Sequence, residues 1–197
     1  MESQGRNTGA RRGAARERLL DAAARHFYVD GIAATGIDTI TASAGVAKMS
    51  LYNNFASKSA LIEAYIERRH EEWLNLYSIR LLGTHTPQER ILAVFDAYID
   101  HAEDAHEHAF RGCGLLNAAA ELPAGDAGRS AVRRHKEEVE LILHRELAQL
   151  TTDEHARTLA THLSFLLEGS MARAGLDGTS TRLHTARTLA AQLLPLA

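Results

Sequence analysis

The chain has 197 residues, of which 45% are hydrophobic and 24% charged, with 14 Gly, 3 Pro and a single Cys. That length can bury a core. The lone Cys113 excludes a disulfide-stapled module, and no apolar run approaches the ~18 residues of a membrane-spanning helix. The net charge of −3 divides unevenly: residues 1–58 hold eight Lys/Arg and five Asp/Glu, and the remainder 14 and 20, so a basic head precedes an acidic body. The polar stretch Met1–Arg6 lacks the apolar centre of a secretory leader, so a cytoplasmic location is expected. Few Pro and many Ala and Leu predict an all-α chain.

Residues 1–11, with Arg6 and Arg11 and no helical spacing, read as a flexible basic arm. Leu19, Leu20, Ala23, Ala24 and Phe27 then share one face of a helix that ends at Asp30-Gly31. Two short helical segments follow, 38–44 with Ile37, Ile40 and Ala44 as its apolar residues, and 47–55 with Leu51 and Phe55. Only Gly45-Val46 separates them. Helices this short are unstable alone in water and are expected to pack on the first one. A longer helix runs from Ser57 to about Leu82 on Leu61, Tyr65, Trp73 and Tyr77.

Thr86-Pro87-Gln88-Glu89 combines a Thr cap, Pro at the first helical position and a Glu closing the capping box. It opens a helix with Ile91, Phe95, Tyr98 and Ala102 as one stripe. Gly112-Cys113-Gly114 breaks the chain before a short apolar segment over 115–122, which Pro123 and Gly125 end. Val132, His135, Val139 and Leu143 mark the next helix. Thr151 and Glu154 offer a second capping box before a run, Leu159 to Met171, that is apolar nearly all round. Leu183, Ala186, Leu189, Ala190 and Leu193 repeat through the last helix. So much apolar surface on a terminal pair predicts a partner chain.

Helix, tight Gly turn and helix form a helix-turn-helix pattern, and its detail is specific. Ala44-Gly45-Val46-Ala47-Lys48-Met49-Ser50-Leu51-Tyr52-Asn53-Asn54-Phe55, followed by Ser57-Lys58 and Leu61, resembles the TetR family of bacterial transcriptional regulators, as do Phe27 and Gly31 ahead of it. Ile40, Val46, Leu51 and Phe55 are placed to lock the three helices, so the outer face of the 47–54 helix is offered rigidly to a DNA major groove. The candidate DNA contacts are Gly36 and Thr39, then Lys48, Met49, Ser50, Tyr52, Asn53, Asn54 and Lys58. Lysines and the Tyr52 hydroxyl suit phosphates, and the short polar groups suit bases or phosphates; for Asn53 and Asn54 plain solvation is the alternative. Three positions depart from the family pattern. Gly36 stands in place of a capping Ser or Thr, Met49 in place of a small residue, and Asn54 in place of an aromatic or His.

The resemblance implies a helix-turn-helix domain over 12–72 and a C-terminal helical effector-binding and dimerisation domain over 73–197. It also implies a homodimer through the last two helices, a double-stranded DNA operator and release by a small-molecule effector of unknown identity. Candidate pocket residues are Trp73, Tyr77, Phe95, Tyr98, Phe165, Met171, His135, Asn117 and Cys113. For most of them a place in the core is the plain alternative. The block Arg111–Glu121 is similar to one in a branch of the family, some of whose members sense electrophiles through cysteine; Cys113 is either such a thiol or a buried inert one.

His101, Asp104, His106 and His108 pair only partly on one helix face and read as a solvated helix end, so no metal or cofactor is expected. His70-Glu71 and His106-Glu107 lack the second His of the zinc-protease helix, and there is no phosphate-cradling Gly loop. A small helical enzyme is therefore a weaker alternative, as is a dimeric ligand-binding scaffold without operator recognition. The expected function is a ligand-responsive, non-enzymatic, sequence-specific DNA-binding repressor.

Overall fold

The computed structural model describes residues 3–104 and 110–195, with side chains from residue 13 onward. These residues form helices and turns without a strand, the all-α class expected. The helices are α1 Ser3–Val29, α2 Ile37–Ala44, α3 Lys48–Asn54, α4 Lys58–Leu81, α5 Pro87–Asp104, α6 Gly114–Glu121, α7 Ala127–Leu147, α8 Asp153–Asp177 and α9 Thr181–Leu193. Of the expected arm, Met1 and Glu2 lie outside the described residues and the backbone from Ser3 belongs to α1. His106 and His108 also lie outside them. Among the described helices none is long and apolar enough to cross a membrane.

The chain divides into two compact units: Met1–Arg68 with Leu115–Ala131, and Arg69–Gly114 with Val132–Ala197. The division falls inside α4 and α7. It joins α6, placed by chain order with the second domain, to the first unit from Leu115 onward.

In the first unit, α1 packs against α2 and α3. Leu19, Leu20, Phe27, Ile40, Leu51, Phe55 and Leu61 are all buried there. Burying each large apolar side chain contributes roughly 1.5–3 kcal/mol. That burial sustains α2 and α3, whose eight and seven residues fall well below the length of a helix stable in isolation. Gly45 makes the sharp turn: it adopts φ 61° and ψ 40°, a left-handed pose, and its N–H donates to the Thr41 and Ala42 carbonyls that end α2. Gly36 caps α2 without a side-chain bond, as its lack of a hydroxyl dictates. An edge-on contact of Phe27 with Tyr65 (ring centroids 5.5 Å apart) and an Arg68–Asp21 ion pair at 2.6 Å tie α1 to α4.

In the second unit, α9 packs on α8 and α5, and Arg187 clasps Asp96 through two bonds of 2.6 and 3.0 Å. The Thr86–Glu89 capping box forms as expected: the Glu89 N–H donates to Thr86 Oγ1 at 3.2 Å and the Thr86 N–H to Glu89 Oε2 at 3.0 Å. The second box does not. The Thr151 N–H still donates to the Leu147 carbonyl, so Thr151 closes the turn after α7, and Thr152 caps α8 by accepting from the His155 N–H. On α8 and α9, Phe165, Leu176, Leu189 and Leu193 are exposed although large and apolar.

Candidate nucleic-acid interface and candidate effector site

Leu51, fully buried, and Phe55 fix α3 from below, so the remaining α3 residues form its outer face. Met49 is 69% exposed and Tyr52 47%, an unusual outlay of apolar surface on so short a helix. Lys48 and Asn53 are exposed beside them, and Ser50 and Asn54 are half-buried. The Asn54 amide donates back to the Ser50 carbonyl at 2.7 Å. Gly36 and Thr39 are exposed at the start of α2. Lys48 Nζ lies 2.8 Å from Asp38 of α2; that hydrogen bond and its charge hold the ammonium above the ordinary lysine value.

Lys58 is half-buried, and its Nζ donates to the Ile32 carbonyl at 2.6 Å. The same loop is held from its other side by Glu121, the last residue of α6: Oε1 accepts from the Ile32 N–H at 3.1 Å and Oε2 from the Ala33 N–H at 2.7 Å. Gly31 (φ +91°) leaves room for this carboxylate, since a Cβ there would stand 2.8 Å from Glu121 Oε1. An acid at a helix C-terminus opposes the helix dipole. Arg129 offsets this by donating to the Ala119 carbonyl at 2.6 Å. Glu121 was legible only as the end of the Arg111–Glu121 block, because nothing in sequence spacing links it to a loop 88 residues earlier.

Within the second unit, four pocket candidates assemble. The Trp73 ring stacks on Tyr77 (centroids 5.6 Å), and meets Tyr98 (5.3 Å) and His135 (5.4 Å). Phe95 and Met171 are buried in the same unit. Phe165 lies outside the cluster at 69% exposure, and half-buried Asn117 belongs to the first unit. Buried Cys113 has Sγ 3.6 Å from Lys136 Nζ.

A row of polar groups runs through these aromatics. Lys136 Nζ is 2.7 Å from Glu168 Oε1 and 3.3 Å from the Tyr98 oxygen; Tyr98 is 3.2 Å from His135 Nε2; His135 Nδ1 is 2.9 Å from His70 Nδ1; His70 Nε2 faces Glu138 Oε2 at 3.5 Å. An ammonium can only donate and a carboxylate only accept, so the ends set the direction throughout. Lys136 donates to Tyr98, the Tyr98 hydroxyl donates to His135 Nε2, the His135 Nδ1–H donates to His70, and the His70 Nε2–H points at Glu138.

Titration follows the same order. Burial raises the Tyr98 phenol above its ordinary range, keeping the proton it donates. Burial, then the Lys136 charge, push His135 down to about 3, keeping it neutral. Burial alone would lower Lys136, but the charged Glu168 carboxylate at 2.7 Å, which also accepts its hydrogen bond, reverses the sign and holds it above the usual lysine value. Lys136 and Glu168 escaped sequence reasoning, since charged residues in a helical pattern read as a solvated face.

Beside the row lies a cleft of about 280 Å³ lined by Arg69, Glu72, Asn75 and Leu76 of α4 and by His101 and Asp104 of α5. Arg69 donates to Glu72 Oε2 at 2.8 Å and to His101 Nε2. Burial first, then Arg69 and Lys136, push His101 down to about 3. Among the described residues no three His, Cys, Asp or Glu converge into a metal-holding group.

Comparison with known proteins agrees with this architecture. The model for bacterial regulatory proteins of the tetR family matches residues 19–65, and that for a tetracyclin repressor-like C-terminal domain matches residues 87–190. The chain belongs to the tetR family. SCO4454, a TetR-family transcriptional regulator from Streptomyces coelicolor, superposes with a TM-score of 0.79 at 31% identity, over 91% of this chain and 95% of that one. The HTH-type transcriptional repressor KstR2 of Mycolicibacterium smegmatis is 35% identical over 46% of this chain and 44% of its own length. The HTH-type transcriptional activator FasR of the same organism is 34% identical over 45% and 40%. The chain thus spans less than half the length of these two curated relatives.

Proposed function

We propose that the chain is a sequence-specific DNA-binding transcriptional regulator rather than an enzyme, working in the cytoplasm as a homodimer. It represses from a palindromic operator and is released by a small molecule held in the second unit. The observation that carries this reading is α3. Leu51 and Phe55 anchor a seven-residue helix whose other side exposes Met49, Tyr52, Asn53 and Lys48. A helix so backed fits a major groove, where Met49 can meet a thymine methyl, Ser50 and Asn53 base edges, and Lys48, Lys58 and Tyr52 phosphates.

Exposed Phe165, Leu189 and Leu193 on α8 and α9 supply an apolar surface for a second copy, whose two heads would meet half-sites about 34–36 Å apart. Release requires an effector that prefers the conformation whose heads do not fit the groove. The repressive sign draws on KstR2. The match to the activator FasR supports the second reading, activation from the same kind of site.

The test is selection of genomic fragments retained by the purified chain, followed by a salt titration. Repeated recovery of a near-palindromic site, with affinity falling steeply as salt rises, is the expected result. Monomeric protein indifferent to duplex DNA at low salt overturns the reading.

A further inference from the structure

Two polar atoms in the second unit are buried without a hydrogen-bond partner among the described residues: Trp73 Nε1, a donor, and Glu168 Oε2, an acceptor. Trp73 is itself only 3% exposed. A buried donor and a buried acceptor left open cost stability that an incoming group supplying both complements would recover. Both belong to the surroundings of Tyr98, whose ring meets Trp73 and carries Lys136, the partner of Glu168.

The way in follows from helical spacing. Arg69, Trp73 and Leu76 stand at i, i+4 and i+7 on one stripe of α4, and Arg69 and Leu76 line the cleft. At about 280 Å³ the cleft falls just below the ~300–1,000 Å³ of sites for drug-sized ligands, so its occupant is small. Charges are already matched: Arg69 with Glu72, and Lys136 with Glu168. Asp104 also lines the cleft but is exposed to water, so a charge carried inward to Trp73 and Glu168 would find Lys136 and Glu168 already neutralising each other and would bear most of its desolvation penalty. The neighbours of the open Trp73 donor, Tyr77, Tyr98 and His135, are aromatic.

We propose that this cleft is the mouth of a site for a small, uncharged aromatic compound bearing a hydroxyl, which accepts from Trp73 Nε1 and donates to Glu168 Oε2. The assignment rests on reading the second unit as the effector-binding region.

Trp73 is the only Trp in the chain, so its emission reports the site directly. The full chain is titrated with three probes of matched size: benzyl alcohol, benzoate and benzylamine. Benzyl alcohol is expected to shift Trp73 emission saturably, with both charged probes at least about tenfold weaker. Trp73→Phe keeps the ring and removes the N–H. With its fold checked by circular dichroism and binding read by ligand-observed NMR, it should weaken benzyl alcohol by about tenfold. A charged probe that binds as well, no saturation by benzyl alcohol, or undiminished binding to Trp73→Phe overturns the proposal. DNA retention by the same protein without any probe is scored separately. Retention without benzyl alcohol binding sinks only this site, and binding without retention sinks only the regulator reading.

Discussion

In the first unit, the polar side chains of α3 stand outside an apolar core, whereas in the second a row of polar side chains from α4, α5, α7 and α8 runs through the core. The first arrangement suits a polyanion that arrives from solvent, because exposed groups held on buried Leu51 and Phe55 can be reached from water without disturbing the core. The second is interdependent. From Lys136 to Glu138 each donor is fixed by the acceptor before it, so one lost proton or side chain is felt along the whole row. Substitutions on the exposed face of α3 should therefore alter recognition and leave the fold intact, while changes to its buried Leu51 or to the row should alter the fold first.

The hardest test of that separation is Leu51→Ala. Truncating a fully buried Leu costs about 2–5 kcal/mol, against helices with little stability of their own. DNA retention should vanish and helical circular dichroism fall, while the emission of Trp73, which belongs to the second unit, stays unchanged. Emission that moves with the loss would show that the units do not fold apart.

Acid should act in the opposite place. His101 and His135 are both held near 3 against an ordinary value of 6.5, so the folded chain keeps them neutral where the unfolded chain takes up protons. Their stabilisation is complete above about pH 6.5 and is lost as pH falls from there toward 3, by about 1.4 kcal/mol per pH unit for each. Chemical denaturation at pH 7 and pH 5 should show the chain weaker at pH 5, and His101→Gln should remove about half of the difference. A flat profile would mean that His101 and His135 are not sealed from water.

The fold and the outer face of α3 could be read from the sequence because both depend on local repetition. Leu19, Phe27, Ile40, Leu51 and Phe55 recur at helical spacing, and Gly45 marks a turn that needs positive φ. The Thr86–Glu89 box is confined to four residues. What could not be read depends on groups brought together from afar. Lys136 follows His135 on α7 and looks like a solvated charge until Tyr98 and Glu168, from two other helices, are packed around it. The shift of the α8 cap from Thr151 to Thr152 belongs to the same class, since it turns on where the preceding helix stops.

Glu121→Ala sharpens the comparison from the head's side. It leaves the Ile32 and Ala33 amides without their acceptor, and the Ile32 residue is buried, so a loss of about 1–3 kcal/mol is expected. Hydrogen exchange at those two amides should rise more than at the amides of α8. Uniform acceleration would make Glu121 a general stabiliser rather than a tie on one loop.

The smallest effect separates two lysines that sequence reasoning treated alike. Lys48 is exposed and its ion pair with Asp38 is open to solvent, so Lys48→Met should flatten the dependence of DNA affinity on salt by about one unit and leave stability alone. Lys58 has one of its three donors on the Ile32 carbonyl, and the other two suit a phosphate. Lys58→Met should give the same change in slope and, unlike Lys48→Met, lower the melting temperature, because the Ile32 carbonyl loses a charged donor. An unchanged slope with a lowered melting temperature would assign Lys58 wholly to holding the loop, leaving Lys48 and Tyr52 as the phosphate contacts near α3.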